Sequence, residues 1–178
     1  MEKRDLRQKY LPEFVYGGTD GAITTFAVVS GAMGASLSSG IVLILGFANL
    51  FADGFSMGVS NYLSTKSRTE LYRKKSEWRD YEKNKTYPIK AGLATFVSFF
   101  LIGLIPLLSF ILDRMFSFGG NMFAYSILLT GFAFLVIGTV RGKITGKSKI
   151  RTSIETLLIG SIAAVLAFFV GYILRGLA

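Results

Sequence analysis

Five long runs of apolar residues, separated by short charged stretches, make up most of this chain of 178 residues. They lie at about 14–38, 41–64, 88–112, 121–140 and 152–174. Each has about the 20 residues that a helix needs to cross the hydrocarbon core of a bilayer. The pattern predicts an all-α, polytopic membrane protein in which residues 14–178 form one domain of five transmembrane helices.

The positively charged residues are divided unevenly between the two sides of these spans. Of 20 Lys and Arg residues, four lie in the tail 1–13, nine in 66–90 and five in 141–151, and only Arg114 and Arg175 fall on the other side. Basic connections stay in the cytoplasm, so this split predicts a cytoplasmic N-terminus and an outer C-terminus. The net charge of +9 thus reflects topology, and we expect no nucleic-acid partner.

Two charged segments flank the first two spans. The tail 1–13 mixes Leu6 and Tyr10 with basic residues, which predicts a short amphipathic helix on the anionic inner leaflet; a solvated tail is the alternative. Residues 65–87 are charged throughout, so we interpret them as a basic cytoplasmic extension of the second helix.

Catalysis has little support in the sequence. The chain contains no cysteine and no histidine, which removes the usual thiolate nucleophile, the commonest general base and the commonest metal ligand. It also lacks a nucleophile elbow and a phosphate-binding loop. We therefore expect no enzymatic activity, no catalytic residue and no bound cofactor.

Two acidic residues inside the apolar blocks are the main candidates for function. Asp20 lies in the first span and Asp53 near the middle of the second. A charged side chain in the bilayer interior costs several kcal/mol, and such residues usually mark a functional site. Glycine and hydroxyl residues surround Asp20, so we expect the helix to be loosened or lined by water there.

Asp53 belongs to a stripe of residues spaced four apart, Asn49, Asp53, Met57 and Asn61. Only residues 37–40 separate the first two spans, so the two helices form an antiparallel hairpin in which Asp20 can face this stripe. Carboxylate oxygens suit Mg²⁺ or Mn²⁺, and a thioether shifts the preference towards a softer ion such as Fe²⁺. The hairpin therefore predicts a divalent-cation site with Asp20, Asp53 and Met57 as ligands.

Other members of this set have structural interpretations. Met57 can be a packing residue, and Asn49 and Asn61 can link helices by hydrogen bonds instead of lining a pathway. Glu155, at the start of the fifth span, either favours a helix N-terminus or lies at the mouth of a pathway.

The first two spans carry a recognisable sequence pattern. Asp20-Gly-Ala-Ile-Thr-Thr-Phe-Ala-Val-Val-Ser-Gly is followed by Ala52-Asp-Gly-Phe-Ser-Met-Gly and Asn61-Tyr-Leu-Ser. These motifs resemble the vacuolar iron transporter family, and the last three spans match it in length and character. The resemblance implies a five-span homodimer that moves Fe²⁺, and often Mn²⁺, out of the cytosol in exchange for protons, through a pathway at the subunit interface. It also implies that Asp20 and Met57 face the metal and that Asp53 is a further acid of the motif.

The chain departs from the family pattern in two places. Many members have Gly-Glu-Tyr where this chain has Ser60-Asn61-Tyr62. Many also insert a glutamate-rich metal-binding domain between spans two and three, where this chain has a short basic connection. We therefore expect a short form of the family, and these departures leave the identity of the metal and the coupling to protons open.

The resulting hypothesis is a divalent-metal exporter, for Fe²⁺ and also Mn²⁺, that works by proton antiport. One alternative is a passive cation channel or a transporter of another divalent ion. The other is a membrane protein that transports nothing and whose polar stripe only holds helices together. For its location we expect a prokaryotic plasma membrane.

Overall fold

The fold is a bundle of α-helices. The computed structural model describes residues 6–73, 82, 85–117 and 119–177, and none of these lies in a β-strand. The helices are α1 (Leu6–Gly34), α2 (Ser39–Arg73), α3 (Pro88–Gly103), α4 (Leu108–Phe116), α5 (Met122–Thr145) and α6 (Lys149–Leu174). Single 3₁₀ turns lie at Ile105–Leu107 and Arg175–Leu177.

A tight turn joins α1 to α2. The Leu37 N–H donates to the Ala32 carbonyl, and Ser36 takes the left-handed conformation with φ of 59°. This hydrogen bond satisfies a carbonyl group that the end of a helix leaves without a partner. The predicted hairpin is confirmed, and the two longest helices of the described chain are antiparallel neighbours.

The third apolar block, predicted as one span at about 88–112, is a broken helix. It is made of α3, the 3₁₀ turn and α4, because Pro106 has no N–H to continue the α-helical ladder. The Pro106 carbonyl instead accepts a hydrogen bond of 2.7 Å from Ser126 of α5. The three pieces still form one apolar stretch, Pro88–Phe116, that is long enough to cross a membrane.

α1 lies at the centre of the bundle. It packs most extensively against α3 and α6 and also contacts α2 and α5. Gly17 lies against Thr95, and Gly21 lies against Phe99, so α1 and α3 run in the same direction. Gly31 lies against Ala167 of α6, and a side chain at Gly21 or Gly34 would collide with the backbone of a neighbouring helix.

Two clusters of buried apolar side chains fill the bundle, and α1 contributes to both. One surrounds Leu50, Phe99 and Phe110 and includes Val29 of α1. The other surrounds Phe134 of α5 and includes Ala22 and Phe26 of α1. Removing α1 would therefore open both parts of the core.

Four stretches are long and apolar enough to span a bilayer by length and composition: 39–73, 88–116, 122–145 and 149–177. α1 has 29 residues but is not among these four stretches. Its position explains the difference, since among its side chains at 9–34 the exposed large apolar ones are Phe14 and Tyr16. A helix that other helices surround has little contact with lipid and can carry small and polar residues.

The structure changes the boundaries of the two charged segments. Residues 6–13 are not a separate tail helix but the first turns of α1, and α2 continues to Arg73 as the proposed extension of the second span requires. Most of the remaining extension, 74–81 and 83–84, lies outside the described residues, as do residues 1–5.

Two glycines of α5 provide a matched test of this packing. A Cβ at Gly138 would lie 2.7 Å from the Thr152 carbonyl oxygen of α6, whereas a Cβ at Gly131 would lie 4.0 Å from Leu157. We expect Gly138→Ala to lower the free energy of unfolding by about 1–3 kcal/mol through overpacking. Gly131→Ala should leave it unchanged or raise it by up to about 1 kcal/mol, because alanine favours a helix. Unfolding in detergent measures both, and equal stabilities would contradict the α5–α6 contact.

Candidate functional site

Hydrogen bonds from α2 to α1 fix the register of the hairpin. The Asn49 side-chain amide donates to the hydroxyl of Thr25 at 3.2 Å and to that of Thr24 at 3.4 Å. Because the helices are antiparallel, Asp20, one turn before Thr24, and Asp53, one turn after Asn49, come to the same level. The hydroxyl of Thr24 also donates to the Asp20 backbone carbonyl at 2.9 Å.

The two aspartates that the sequence singled out are brought together. Both side chains are partly buried, and the hydrogen bonds of Asn49 bring them to one level of the hairpin. α1 is a continuous helix through Asp20, so the expected loosening of the helix there is wrong. Two like charges in a partly buried site repel each other, and a divalent cation between them would replace that repulsion with attraction.

Met57 lies one turn beyond Asp53 on α2. Its side chain is partly buried and packs against the core cluster that contains Leu50 and Phe99. The packing interpretation of Met57 thus has direct contacts in its support. Its thioether is also on the same stripe as Asp53, so the ligand interpretation remains a prediction.

Asn61 is directed to α3 rather than to α1. Its side-chain amide donates to the Thr95 hydroxyl at 2.6 Å and to the Ala91 carbonyl at 3.5 Å. Its oxygen accepts a hydrogen bond from Thr65 at 3.4 Å. These bonds favour the structural interpretation, in which Asn61 links α2 to α3.

Glu155 lies on α6, outside the hairpin. Its carboxylate is 3.4 Å from the Arg141 guanidinium of α5, and both side chains are more than a third exposed. An exposed ion pair contributes up to about 1 kcal/mol to stability. The geometry therefore gives Glu155 a modest role in joining α5 to α6.

One acidic residue was overlooked by the sequence analysis, which placed it in the charged tail. A carboxylate oxygen of Glu13, on α1, is buried and has no hydrogen-bond partner among the described residues. Glu13 precedes Asp20 by seven residues, so the two lie on the same face of α1. The seven-residue spacing could have indicated from the sequence that Glu13 shares a helix face with Asp20. Glu13 extends the acidic face of α1 towards its N-terminal end.

The acidic side chains of the described residues are spread along the helices. Within the described part of the sequence, no group of three acidic side chains gathers closely enough to hold a metal ion. Asp20 and Asp53 supply two carboxylates, and further ligands would have to come from elsewhere.

The chain has relatives among known proteins. The model of the VIT family matches residues 11–84 and 74–172, which together cover most of the chain. The chain belongs to the VIT family. The resemblance seen in the motifs of α1 and α2 is thereby confirmed.

Full-length relatives carry the same family name. The chain is 26% identical to a vacuolar iron transporter of Plasmodium berghei, over 98% of this chain and 85% of the relative. It is also 26% identical to vacuolar iron transporter 1 of Arabidopsis thaliana, over 94% of this chain and 87% of the relative. As a VIT family member with four apolar spanning helices, the chain is an integral membrane protein.

The alignments also bear on length and location. The match to the Plasmodium protein extends over 233 positions, more than this chain contains, so that relative has additional residues. The family model matches in two segments that meet at 74–84, in the connection between α2 and α3, which fits a short form of the VIT family. These relatives are eukaryotic and give no support to a prokaryotic plasma membrane.

The role of Asn61 in this VIT family member can be tested by its effect on stability. We expect Asn61→Leu to lower the free energy of unfolding by about 0.6–1.7 kcal/mol, the range measured for hydrogen bonds between membrane helices. Ser67→Ala, at an exposed position further along α2, should have no measurable effect. Thermal unfolding in detergent measures both, and an unchanged stability of Asn61→Leu would contradict the α2–α3 link.

Proposed function

We propose that this chain transports a divalent transition metal, Fe²⁺ in the first place and also Mn²⁺, across the membrane. The relatives are named as iron transporters, which supports metal transport. The observation that carries the proposal is the Asp20–Asp53 pair, held at one level between two long helices. We propose Asp20, Asp53 and Met57 as ligands of the transported ion.

The chemistry of this set fits Fe²⁺. Carboxylates supply the negative charge that a dehydrated divalent ion needs, and the thioether of Met57 favours a softer ion over Mg²⁺. The unpartnered carboxylate of Glu13, on the same face of α1, supplies a further acidic group along the helix.

Two copies of the chain would complete the site. Ala48, Ala52, Ser56 and Ser60 are exposed small residues at four-residue spacing on α2, directly beside Asn49, Asp53 and Met57. Small residues at this spacing allow membrane helices to approach closely. A homodimer formed through this stripe would bring four aspartates and two methionines together and cover the polar side chains from lipid.

The proposed direction of transport combines the topology of the chain with the names of its relatives. We propose that α1 also crosses the membrane, which brings the number of spans to five, because it runs parallel to α3 and antiparallel to α2. We also propose that the N-terminus is cytoplasmic. Basic connections would place the N-terminus in the cytoplasm. The relatives are named vacuolar iron transporters, which favours movement of metal out of the cytosol. Protons would return in exchange on the carboxylates that release the metal ion.

The main alternative is a structural role for the polar stripe. The hydrogen bonds of Asn49 and Asn61 favour such a role for these two residues. No such hydrogen bond supports a structural role for Asp20 or Asp53. Within the described part of the chain, neither side-chain carboxylate forms a hydrogen bond.

Substitution of the first-span aspartate tests the proposed ligand set. We expect Asp20→Asn to reduce Fe²⁺ uptake into proteoliposomes to the level of empty liposomes, because the amide keeps the shape but loses the charge. Asp113→Asn is the matched control: Asp113 lies at the end of α4, and an asparagine there keeps the oxygen that accepts the Gly119 N–H. Retained uptake in Asp20→Asn would remove Asp20 from the proposed pathway.

Cysteine cross-linking tests the proposed dimer, and the chain contains no native cysteine to remove. Single cysteines placed at Ala48, Ala52, Ser56 and Ser60 should form disulfide-linked dimers on oxidation at one or more positions, because a two-fold axis along this stripe brings equal residues together. Leu128→Cys, on the exposed face of α5, is the control and should stay monomeric on a denaturing gel. Cross-linking only at Leu128 would contradict an α2 interface.

A further inference from the structure

Three lysines surround one tyrosine ring where α1 and α3 begin. The side-chain nitrogens of Lys9, Lys85 and Lys90 lie 5.9, 5.8 and 5.4 Å from the centre of the Tyr87 ring. The Tyr87 backbone N–H donates to the Tyr10 hydroxyl oxygen at 3.0 Å, which fixes the ring next to α1. The cluster therefore joins residues that are far apart in the sequence, and we call it the lysine cluster.

The lysine cluster concentrates three positive charges in a small volume. Since each nitrogen is close to one ring centre, any two lie within about 12 Å, a distance comparable with the screening length in physiological salt. Glu82 is 3.5 Å from Lys85, but Lys9 and Lys90 form no ion pair with any described residue. Burial, followed by the charges of Lys85 and Lys90, lowers the pKa of Lys9 below its usual value. The cluster is thus suited to bind an anion.

The lysine cluster lies at the end of an apolar span. Pro88, next to Tyr87, begins the stretch 88–116 that is long enough to cross a membrane. Val97 and Leu101 follow Lys90 by seven and eleven residues, so they lie below it on the same face of α3. They are 43% and 55% exposed and offer a surface for a hydrocarbon chain.

We propose that Lys9, Lys85 and Lys90 around Tyr87 bind the phosphate group of an anionic phospholipid. Each ammonium group provides donors for phosphate oxygens and no acceptor. A free phosphate ion offers the same oxygens, but the exposed apolar face beneath Lys90 favours a ligand with acyl chains. Such a lipid would tie the start of α1 to the start of α3.

Native mass spectrometry of the full chain in neutral detergent tests this proposal, with phosphatidylglycerol and phosphatidylcholine as probes. We expect bound phosphatidylglycerol in preference to phosphatidylcholine. The double variant Lys9→Gln/Lys90→Gln should weaken phosphatidylglycerol binding by about 20- to 30-fold, because each basic residue near a membrane surface contributes about a fivefold gain. The double variant to arginine should retain binding.

A second pair of lysines provides the control for general charge attraction. Lys143→Gln/Lys147→Gln removes the same charge from exposed positions near the end of α5, and it should leave the affinity unchanged. An equal loss in both glutamine pairs, or no loss in the Lys9 and Lys90 pair, would overturn the proposal. Displacement of the lipid by millimolar inorganic phosphate would also overturn it and assign the cluster to a soluble ion.

Discussion

The enclosure of α1 by the other helices is the constraint on which the rest of the structure depends. Glycines at positions 17, 21, 31 and 34 let α3 and α6 approach its backbone, so little of α1 is left to contact lipid. A helix in this position can carry a carboxylate and several hydroxyl groups that would be costly on a lipid-facing helix. Both core clusters include α1 side chains, so the same helix that carries Asp20 also organises the packing.

From that central position, the short turn to α2 determines the chemistry of the hairpin. Only residues 35–38 connect the two helices, and the hydrogen bonds of Asn49 to Thr24 and Thr25 set the level at which α2 meets α1. Asp20 and Asp53 then come together although they are 33 positions apart in the sequence. The small exposed residues of α2 lie next to this pair, so the proposed dimer contact and the proposed metal pathway occupy adjacent stripes of one helix.

Much of this could be predicted from the sequence, because apolar length and the spacing of polar residues are local signals. The blocks at 41–64 and 152–174 fall within α2 and α6, and the block at 121–140 begins at the N-cap of α5. The level of Asp20 and Asp53 followed from the short hairpin. Pro106 is a local signal for the break after α3, whereas the partner of its carbonyl, Ser126 of α5, comes from a distant segment that the spacing does not indicate.

Other features depended on three-dimensional neighbours that a helical pattern does not contain. Asn61 has the four-residue spacing of the Asp53 stripe, yet its side-chain amide donates to the Thr95 hydroxyl of α3. One stripe of α2 therefore contacts two helices. Glu13 was assigned to the tail because charged residues precede it, whereas α1 begins at Leu6 and buries one of its carboxylate oxygens. The lysine cluster around Tyr87 joins the starts of two helices that are about 80 residues apart, so no local spacing indicates it.

The most direct test of the transport proposal is metal flux in proteoliposomes that contain the purified chain, followed with and without an imposed pH gradient. Fe²⁺, Mn²⁺ and Mg²⁺ would be compared while the internal pH is recorded. The account predicts Fe²⁺ flux that an opposing proton gradient accelerates, slower Mn²⁺ flux and no Mg²⁺ flux. If no divalent ion crosses under either condition, the Asp20–Asp53 pair is not part of a transport pathway and the polar stripe serves only to hold the helices together.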